Sequence, residues 1–361
     1  MLLSAVLDNS FSNRNYLMSV FKAINVTERG QLTIVEKYAP SIKAHEVLIE
    51  VEACGVCGAD LADIERAKSM GLKAVTPGHE VVGRIISKGV AVSEHWQVGQ
   101  RVGVGRLGGA CYECDICRQG HFNLCENQSV LGVTQDGGYA EMMVARSSGL
   151  VAIPDDLEAK TAAPILCAGI ATFNALMKCG AKAGDTVAVI GIGGLGHLAL
   201  QYARKMGFRV VAIGRGQDKK TDALNLGAHH YIDSIQSNVA HELEVIGGAH
   251  AIISTVLNPS SVTDAILGLK PHGTCVLLGV SIPPMSLSSR ALIGAERQLI
   301  GSLTGSPYET EKALGFSVLT ESLPEIQTLP FEQAHQAIEL LKSGQARYRL
   351  VLTMKPGIYA S

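Results

Sequence analysis

"VAVIGIGGLGHLAL", residues 187–200, contains the glycines that decide the fold of this chain. An apolar run typical of a buried strand precedes Gly191, and a run with helical spacing follows Gly196. Gly191, Gly193 and Gly196 have the spacing G-x-G-x-x-G, in which the first glycine makes a tight turn, the second lets the backbone approach a pyrophosphate, and the third permits close helix–strand packing. The stretch therefore predicts a dinucleotide site at the start of a helix. Its candidate contacts are Gly191, Ile192, Gly193, Gly194, Leu195 and Gly196.

The end of the next predicted strand, "RVVAIG", indicates which dinucleotide is bound. NAD sites commonly carry an acidic residue there, about 20 residues after the glycines, that binds the ribose hydroxyls. This chain has Gly214 there, followed by Arg215 and, four residues further on, Lys219. Without a carboxylate there is no repulsion against a 2′-phosphate, which Arg215 and Lys219 could bind, so the sequence favours NADP. The alternative is a solvated arginine in a polar loop, with NAD bound through other contacts.

The pattern of apolar and polar residues changes near residue 165. Before it, short alternating or apolar runs are broken by glycine, proline and asparagine, which predicts antiparallel β-structure. After Asp185 apolar strands alternate with helical patterns, which predicts βαβ units and a Rossmann-type parallel sheet with helices on both faces. We predict a β-rich domain over 18–168, completed by 306–361, a dinucleotide-binding domain over 169–305, and an N-terminal extension over 1–17. Ends of later strands provide the further candidate cofactor contacts Thr255, Val256, Gly279 and Val280.

Bulk properties limit the class of protein. A chain of 361 residues exceeds the usual size of a single core, which agrees with two domains. Its 31 basic and 33 acidic residues give no excess charge for nucleic acid or an anionic membrane, so we expect a small-molecule ligand. The first residues lack the cationic start of a signal peptide, and no apolar run reaches the roughly 18 residues of a membrane span. An odd number of cysteines, nine, favours metal-binding or catalytic thiols in a reducing compartment, and we predict a cytoplasmic protein.

Four cysteines in "CYECDICRQGHFNLC" are grouped as in a metal site. Cys111, Cys114, Cys117 and Cys125 are separated by two, two and seven residues. Four thiolates converging from one loop suit a closed, tetrahedral and therefore structural Zn²⁺ site. The first three also match the start of an iron–sulfur run, but a bacterial ferredoxin would have its fourth cysteine where His121 stands. We therefore favour zinc, with His121 as a polar loop residue.

Other metal candidates are scattered along the chain. "ACGVCGAD" contains a Cys-x-x-Cys pair, Cys54 and Cys57, and "TPGHEVVG" contains His79 and Glu80. A catalytic zinc needs three protein ligands and one open position, and Cys₂His is one known set. A redox pair at Cys54 and Cys57 would need a thioredoxin-like βαβ context, which the β-rich pattern there does not provide. Spacing alone does not choose the ligands.

The chain resembles a known family, the zinc-dependent alcohol dehydrogenases of the medium-chain dehydrogenase/reductase superfamily. The resemblance rests on "GVCGAD", "PGHE", the four-cysteine stretch, "GGYAE", "APILCAG" and "GIGGLG", which follow one another in the family's order. It implies a GroES-like catalytic domain and a homodimer or homotetramer. It also implies that Cys57, His79 and Cys167 hold the catalytic zinc, with Glu80 as an alternate ligand and Asp60 orienting the His79 ring. Arg349 matches the position that contacts the cofactor pyrophosphate.

The chain departs from the family pattern where a proton relay is expected. Ala59 and Ala62 replace a hydroxyl and a histidine, and Ala171 replaces a further hydroxyl, with Thr172 beside it. A water chain, a preference for carbonyl reduction, or loss of activity could each account for this, and we favour reduction by NADPH.

We expect an alcohol dehydrogenase or aldehyde reductase with two zinc ions per chain. The alternatives are a polyol or sugar dehydrogenase and a non-catalytic zinc- and dinucleotide-binding homologue. Arg106 lies where relatives often place an aromatic residue near the substrate; it could accept a polar or anionic substrate, but we favour a surface arginine.

Overall fold

The computed structural model describes residues 20–71, 75–280 and 283–355, and the predicted extension over 1–17 lies outside these ranges. The chain forms two compact units. The first runs to Cys167 and also contains Ser306–Glu311 and the chain from Glu325 onward, and the second contains Ala168–Gly305 and Lys312–Pro324.

The described ranges contain β-strands, α-helices and short 3₁₀ turns. The strands are β1 (Val20–Val26), β2 (Leu32–Tyr38), β3 (Glu46–Val56), β4 (Val81–Lys88), β5 (Arg101–Val104), β6 (Met142–Arg146), β7 (Leu150–Ala152), β8 (Thr186–Ile190), β9 (Arg209–Gly214), β10 (His230–Asp233), β11 (Ala249–Ser254), β12 (Leu269–Leu277), β13 (Gln298–Gly301), β14 (Ile326–Pro330) and β15 (Arg349–Thr353). The α-helices are α1 (Gly58–Met70), α2 (Asp115–Arg118), α3 (Ala159–Ala162), α4 (Ala168–Lys178), α5 (Gly196–Lys205), α6 (Lys220–Asn225), α7 (Val239–Val245), α8 (Pro259–Ile266), α9 (Ser289–Ile293), α10 (Pro307–Thr320) and α11 (Ala334–Lys342). The 3₁₀ turns lie at Phe122–Leu124, Ser147–Gly149, Ala163–Leu166 and Phe331–Gln333.

The first unit is built on a seven-stranded sheet with the order β14-β15-β3-β4-β5-β7, to which β6 adds by pairing with β3. All its pairs except β14 with β15 are antiparallel. Its core includes Ile49 and Val51 of β3, Ile85 of β4 and Val102 of β5, each at most 2% exposed. Burial of one such side chain stabilises the fold by about 1.5–3 kcal/mol, which holds these strands and the residues that follow them in place.

The junction of β3 and α1 positions the first functional residues. β3 is buried along most of its length and ends at Val56, so Cys57 leaves the sheet next to the core. Cys57 is the N-cap of α1, and its amide donates to Oδ2 of Asp60 at 2.9 Å. A carboxylate in the first turn satisfies an amide that the helix leaves without a partner. Gly71, with a φ of 59°, ends the helix in the left-handed conformation that favours glycine.

The second unit contains a six-stranded sheet with the order β10-β9-β8-β11-β12-β13, and all neighbours are parallel. This is the strand order of a Rossmann fold, with its reversal between β8 and β11. Every residue of β8 is buried, as expected for a parallel strand covered on both faces. The predicted fold class, a β-rich domain combined with a Rossmann domain, is confirmed.

No single helix among the described residues is both long and apolar enough to span a membrane. Two short helical segments meet that length and composition test only when taken together, Ala159–Leu166 and Ala168–Lys178.

Candidate functional site

Four buried side chains of the first unit converge just beyond its strand ends. Cys57 follows β3, His79 and Glu80 directly precede β4, and Cys167 follows the 3₁₀ turn at Ala163–Leu166. One potential ligand atom from each of these four residues lies within 4.8 Å of those from the others. The fold thus brings Cys57 and Cys167 together although 110 positions separate them in the chain.

This donor set fits a tetrahedral zinc ion. The Sγ atoms of Cys57 and Cys167 are 3.9 Å apart, and two sulfurs each about 2.3 Å from one zinc would be about 3.8 Å apart. Nε2 of His79 is buried and has no hydrogen-bond partner among the described residues. A buried polar atom without a partner is costly, so the exception needs an explanation, and a metal ion supplies one.

Asp60 fixes the orientation of the His79 ring. Its Oδ1 lies 2.7 Å from Nδ1 of His79, which leaves the opposite nitrogen, Nε2, as the donor for a metal ion. Its Oδ2 accepts from the Cys57 amide at 2.9 Å and from the Tyr139 hydroxyl at 3.2 Å. Asp60 is 1% exposed and Tyr139 is fully buried. The carboxylate is therefore held on three sides.

Electrostatics in the cluster favour ionisation of one thiol. The hydrogen bond with Cys167 lowers the pKa of the Cys57 thiol well below its usual value, and the neighbouring His79 reinforces this against the effect of burial. A metal ligand must be a thiolate, so the site is arranged to supply one.

A buried ion pair joins Glu80 to Arg349, the first residue of β15. The Arg349 guanidinium donates to Oε1 of Glu80, while Oε2 of Glu80 has no partner among the described residues. Burial raises the pKa of Glu80 to about 7, although Arg349 counteracts the shift. A Cβ at Gly55 would lie 1.8 Å from that Oε2 atom, so the glycine between the two cysteines makes room for the carboxylate. Contact of Arg349 with a pyrophosphate stays a prediction.

Cys54, the other member of the Cys-x-x-Cys pair, lies outside the four-residue cluster. It is fully buried, and burial raises the pKa of its thiol well above the usual value. All nine cysteines are free. Cys54 therefore behaves as a small packing residue.

The four cysteines of the second group also come together. Their Sγ atoms all lie within 4.8 Å of one another, with 3.5 Å between Cys111 and Cys125. The side-chain amide of Asn127 donates to Cys111 Sγ at 3.5 Å, and with two backbone amides it lowers the pKa of that thiol to about 6. Tyr112 has a left-handed φ of 62°, which allows the chain to turn between the ligands. This geometry and the amide donors fit a Cys₄ zinc site.

The glycine turn has the geometry that its spacing predicts. Gly191 has a φ of 90°, and a Cβ on Gly196 would lie 1.8 Å from the carbonyl oxygen of Gly191. A Cβ on Gly193 would meet nothing within 4 Å, so this glycine faces open space in which a pyrophosphate would fit. The other predicted residues of the turn, Ile192, Gly194 and Leu195, lie between these glycines.

Other predicted cofactor residues surround the same edge of the parallel sheet. The Thr255 hydroxyl donates to the carbonyl of Ile190 at 2.9 Å, and a Cβ on Gly279 would lie 2.2 Å from the carbonyl of Val256. Val280 is 85% exposed. Lys219 Nζ donates to the carbonyl of Ile192 at 2.9 Å, which ties the loop after β9 to the glycine turn.

Comparisons with known proteins agree with both units. The alcohol dehydrogenase GroES-like domain matches residues 43–155, and the zinc-binding dehydrogenase domain matches residues 194–318. The chain is 39% identical over 342 residues to the alcohol dehydrogenase notN of Aspergillus sp. (strain MF297-2), covering 94% of this chain and 98% of the relative. The chain belongs to the zinc-type medium-chain alcohol dehydrogenases.

Two further similarities support this family. The aldehyde reductase AdhA of Synechocystis sp. (strain ATCC 27184 / PCC 6803 / Kazusa) is 36% identical over 324 residues, which is 90% of this chain and 96% of the relative. A solved cinnamyl alcohol dehydrogenase of Sorghum bicolor has a TM-score of 0.84 and 28% identity, covering 93% of this chain and 98% of that one. The predicted family, GroES-like fold and enzyme class, an alcohol dehydrogenase, are confirmed.

In the structure of this alcohol dehydrogenase, the described residues at the predicted relay positions provide no free hydroxyl or imidazole to carry a proton. Ala59 is partly exposed and Ala62 is exposed, next to Asp60 on α1. In α4 the buried Thr172 hydroxyl donates to the carbonyls of Ala168 and Gly169 at 2.8 and 3.0 Å. That hydroxyl is engaged within its own helix.

Arg106, which the sequence predicts to be a surface arginine, is only partly exposed in the structure. Arg106 forms a two-point ion pair with Asp63 of α1, at 2.6 and 3.1 Å, and its side chain is only 23% exposed. Arg66 also binds Asp63, at 3.1 Å. A charge in a partly buried position was not evident from sequence because its partner lies 43 positions away.

Sequence reasoning also missed Tyr139, the hydroxyl partner of Asp60. The signal that could have identified it is its place in "GGYAE", one of the family stretches. A fully buried tyrosine needs a hydrogen-bond partner for its hydroxyl, and here the partner is the residue that orients His79.

Replacing Asp60 by asparagine should weaken the metal site without unfolding the unit. Asparagine has one acceptor oxygen, so it cannot accept from His79, Cys57 and Tyr139 as Asp60 does. We expect Asp60→Asn to lower zinc affinity or kcat/KM by about 10–100-fold, the usual effect of losing such a partner. The matched control is Glu65→Gln on the same helix, whose carboxylate is 54% exposed. Equal metal affinity in the two variants, measured by competition with a chelator, would contradict the role of Asp60.

Proposed function

We propose that this protein is a zinc-dependent oxidoreductase that transfers a hydride between a nicotinamide cofactor, preferentially NADPH, and an aldehyde or small ketone, with the alcohol as product. The observation that carries the proposal is the buried cluster of Cys57, His79 and Cys167 with a histidine nitrogen that has no partner among the described residues. We propose these three residues as ligands of a catalytic zinc and Cys111, Cys114, Cys117 and Cys125 as ligands of a structural zinc.

The residues around the catalytic cluster prepare it for Lewis-acid chemistry. When bound, zinc would polarise a carbonyl or hydroxyl oxygen of the substrate, and the nicotinamide would carry the hydride. Cys57 and Cys167 as thiolates would balance the two positive charges of the ion, while Asp60 keeps the donor nitrogen of His79 directed at it. Glu80, held by Arg349 on one oxygen, has a second oxygen available as an alternate ligand.

We favour reduction as the main direction because it agrees with the proposed preference for NADPH; the missing relay affects the proton path in both directions. Alcohol oxidation requires a proton to leave the substrate, and positioned proton transfer is typically worth about 10²–10⁴ in rate. Ala59 and Ala62 carry no proton, and the Thr172 hydroxyl is bonded to its own helix. In reduction the product instead takes up a proton, which we propose is drawn from solvent.

The preference for NADP rests on the loop after β9. Gly214 offers no carboxylate to repel a 2′-phosphate. Arg215 is exposed and makes no hydrogen bond or ion pair with the described part of the chain, so its guanidinium is available for a phosphate. The family resemblance further suggests a homodimer or homotetramer, which we propose, and the cysteine usage leads us to propose a cytoplasmic location.

One experiment tests the cofactor and the direction together. A panel of aldehydes, small ketones, alcohols and polyols is measured with NADPH, NADH and their oxidised forms near neutral pH. We expect the highest kcat/KM for reduction of an aldehyde by NADPH, with the corresponding oxidation clearly slower. Clearly faster oxidation would contradict the proposed direction, and oxidation of polyols above all other substrates would favour a polyol dehydrogenase. Two zinc ions per chain with no turnover of any substrate would favour a non-catalytic homologue.

A further inference from the structure

Gly214 stands where the Tyr231 side chain of the neighbouring strand leaves little space for a Cβ atom. β10 lies beside β9 in parallel register, with Asp233 opposite Gly214 and Tyr231 opposite Ala212. A Cβ on Gly214 would lie 2.4 Å from the hydroxyl oxygen and 3.1 Å from Cζ of Tyr231. The backbone of Gly214 does not adopt the left-handed φ that would require glycine. Cδ1 of Ile192 would also lie 3.1 Å from that Cβ, so Tyr231 makes the shortest contact and, with Ile192, limits the space at position 214.

Tyr231 also fastens the turn that follows Gly214. Its hydroxyl donates to the carbonyl of Gly216 at 2.5 Å, and the Gly216 amide donates to Oδ1 of Asp233 at 2.8 Å. Gly216 has a φ of 73°, so it makes a sharp turn directly after Arg215. β10 thus holds Gly216 at both its carbonyl and its amide.

Asp233 completes this bracing from a buried position. Its Oδ2 accepts from the Gln217 side chain at 3.0 Å, and its Oδ1 also accepts from the Ile235 amide at 3.0 Å. These backbone and side-chain donors, led by the Ile235 amide, lower the pKa of Asp233 and keep it ionised. Asp233 is only 5% exposed, so its charge is stabilised mainly by these hydrogen-bond donors. The turn is fixed while Arg215, at its outer side, remains exposed.

We propose that Tyr231 is a positioning residue that determines cofactor specificity. It occupies the space in which a carboxylate at position 214 would begin, and it holds the 214–217 turn so that Arg215 meets the 2′-phosphate of NADP. The inference rests on the proposed NADP preference. It adds that a single acidic substitution at position 214 cannot create an NAD site, because Tyr231 must be removed as well.

The test compares the affinities of the zinc-loaded enzyme for NADP⁺ and NAD⁺, measured by calorimetry, with kcat and KM for both. Tyr231→Phe removes one hydrogen bond to the turn, and we expect NADP⁺ to bind about three- to tenfold more weakly with kcat unchanged and NAD⁺ binding unaffected. Gly214→Asp alone should not bind NAD⁺ more tightly. Gly214→Asp combined with Tyr231→Ala should bind NAD⁺ at least about tenfold more tightly than Gly214→Asp does.

The matched control is Tyr202→Phe in the same unit. The Tyr202 hydroxyl bonds Ser317 at 2.6 Å, so its removal should lower the melting temperature without altering the ratio of the two cofactor affinities. If Tyr231→Phe behaved like this control, or weakened both cofactors equally, Tyr231 would be merely structural. The proposal is also overturned if Gly214→Asp gains NAD⁺ affinity as fully as the double variant. Should the aspartate variants fail to fold, Tyr231→Phe and Tyr231→Ala still decide it through the affinity ratio.

If the enzyme does not prefer NADP, the same measurements give a different result. In that case the unaltered enzyme binds NAD⁺ at least as tightly as NADP⁺, and Arg215→Ala changes neither affinity. The comparison of Gly214→Asp with the double variant then still shows whether Tyr231 excludes a carboxylate from position 214.

Discussion

Cys57→Ala is expected to reduce kcat/KM by about 10³-fold or more, because the Lewis acid contributes several kcal/mol to the barrier and each 1.36 kcal/mol is tenfold in rate. The substitution removes one of two thiolates and leaves His79, Cys167 and the alternate ligand Glu80 in a buried site. We expect the zinc content to fall by one ion per chain. Metal analysis by mass spectrometry and steady-state kinetics on the same preparation measure both effects.

The control is Cys54→Ala, three residues earlier. Cys54 is as buried as Cys57 but lies outside the cluster, so this variant should retain two zinc ions and most of its activity. If Cys54→Ala lost the metal and Cys57→Ala kept it, the assignment of the Cys-x-x-Cys pair would be reversed. Equal loss in both variants would indicate general destabilisation, which circular dichroism would detect.

Cys117→Ala is expected to release the second zinc ion and unfold the loop from Cys111 to Cys125. The buried apolar cluster there consists only of Ala110, Cys117 and Cys125, with a few partly buried neighbours, so the loop has little packing of its own. Binding of structural zinc supplies about 10–16 kcal/mol in small zinc domains. We expect the melting temperature to fall by about 8 °C or more. Limited proteolysis should cleave within the loop.

His121→Ala is the control for this variant. His121 is exposed, lies between Cys117 and Cys125, and is not part of the cluster of potential ligands. The variant should keep two zinc ions and resist proteolysis like the unaltered protein. Loss of zinc from His121→Ala, or full metal content in Cys117→Ala, would contradict the Cys₄ assignment. An iron–sulfur cluster would instead show visible absorption and bound iron.

The glycine turn and the four-cysteine loop show how far the sequence predicts structure. In both, the functional atoms lie within fewer than about 20 residues of one another, so their spacing along the backbone largely sets their geometry. The three glycines therefore have the separate backbone geometries that the motif predicts, and the four sulfurs meet as their spacing predicts. The parallel sheet also followed from the alternation of strands and helices.

Contacts between side chains that are far apart in the chain could not be predicted from local sequence spacing. The Arg106 partner, Asp63, is on a different element, and Tyr139 reaches Asp60 from 79 positions away. Such contacts depend on strand register and on which side chains are buried together, and neither leaves a local pattern. The placement of Tyr231 against Gly214 arises in the same way, from the register of β10 on β9.

By itself the sequence determined a Rossmann domain with a dinucleotide turn, a β-rich domain and a closed Cys₄ loop, because these depend on periodicity and short spacing. Residue spacing did not separate Cys57 from Cys54; the family resemblance implied the choice, and the tertiary structure gives its physical reason. The end of β3 directs Cys57 toward Cys167 and His79, whereas Cys54 stays within the sheet and is fully buried. It also decided that Glu80 faces Arg349, since antiparallel pairing of β15 with β3 brings the end of the chain beside the site. The physical reason is that ligand convergence requires long-range packing, which fixes positions that no local rule specifies.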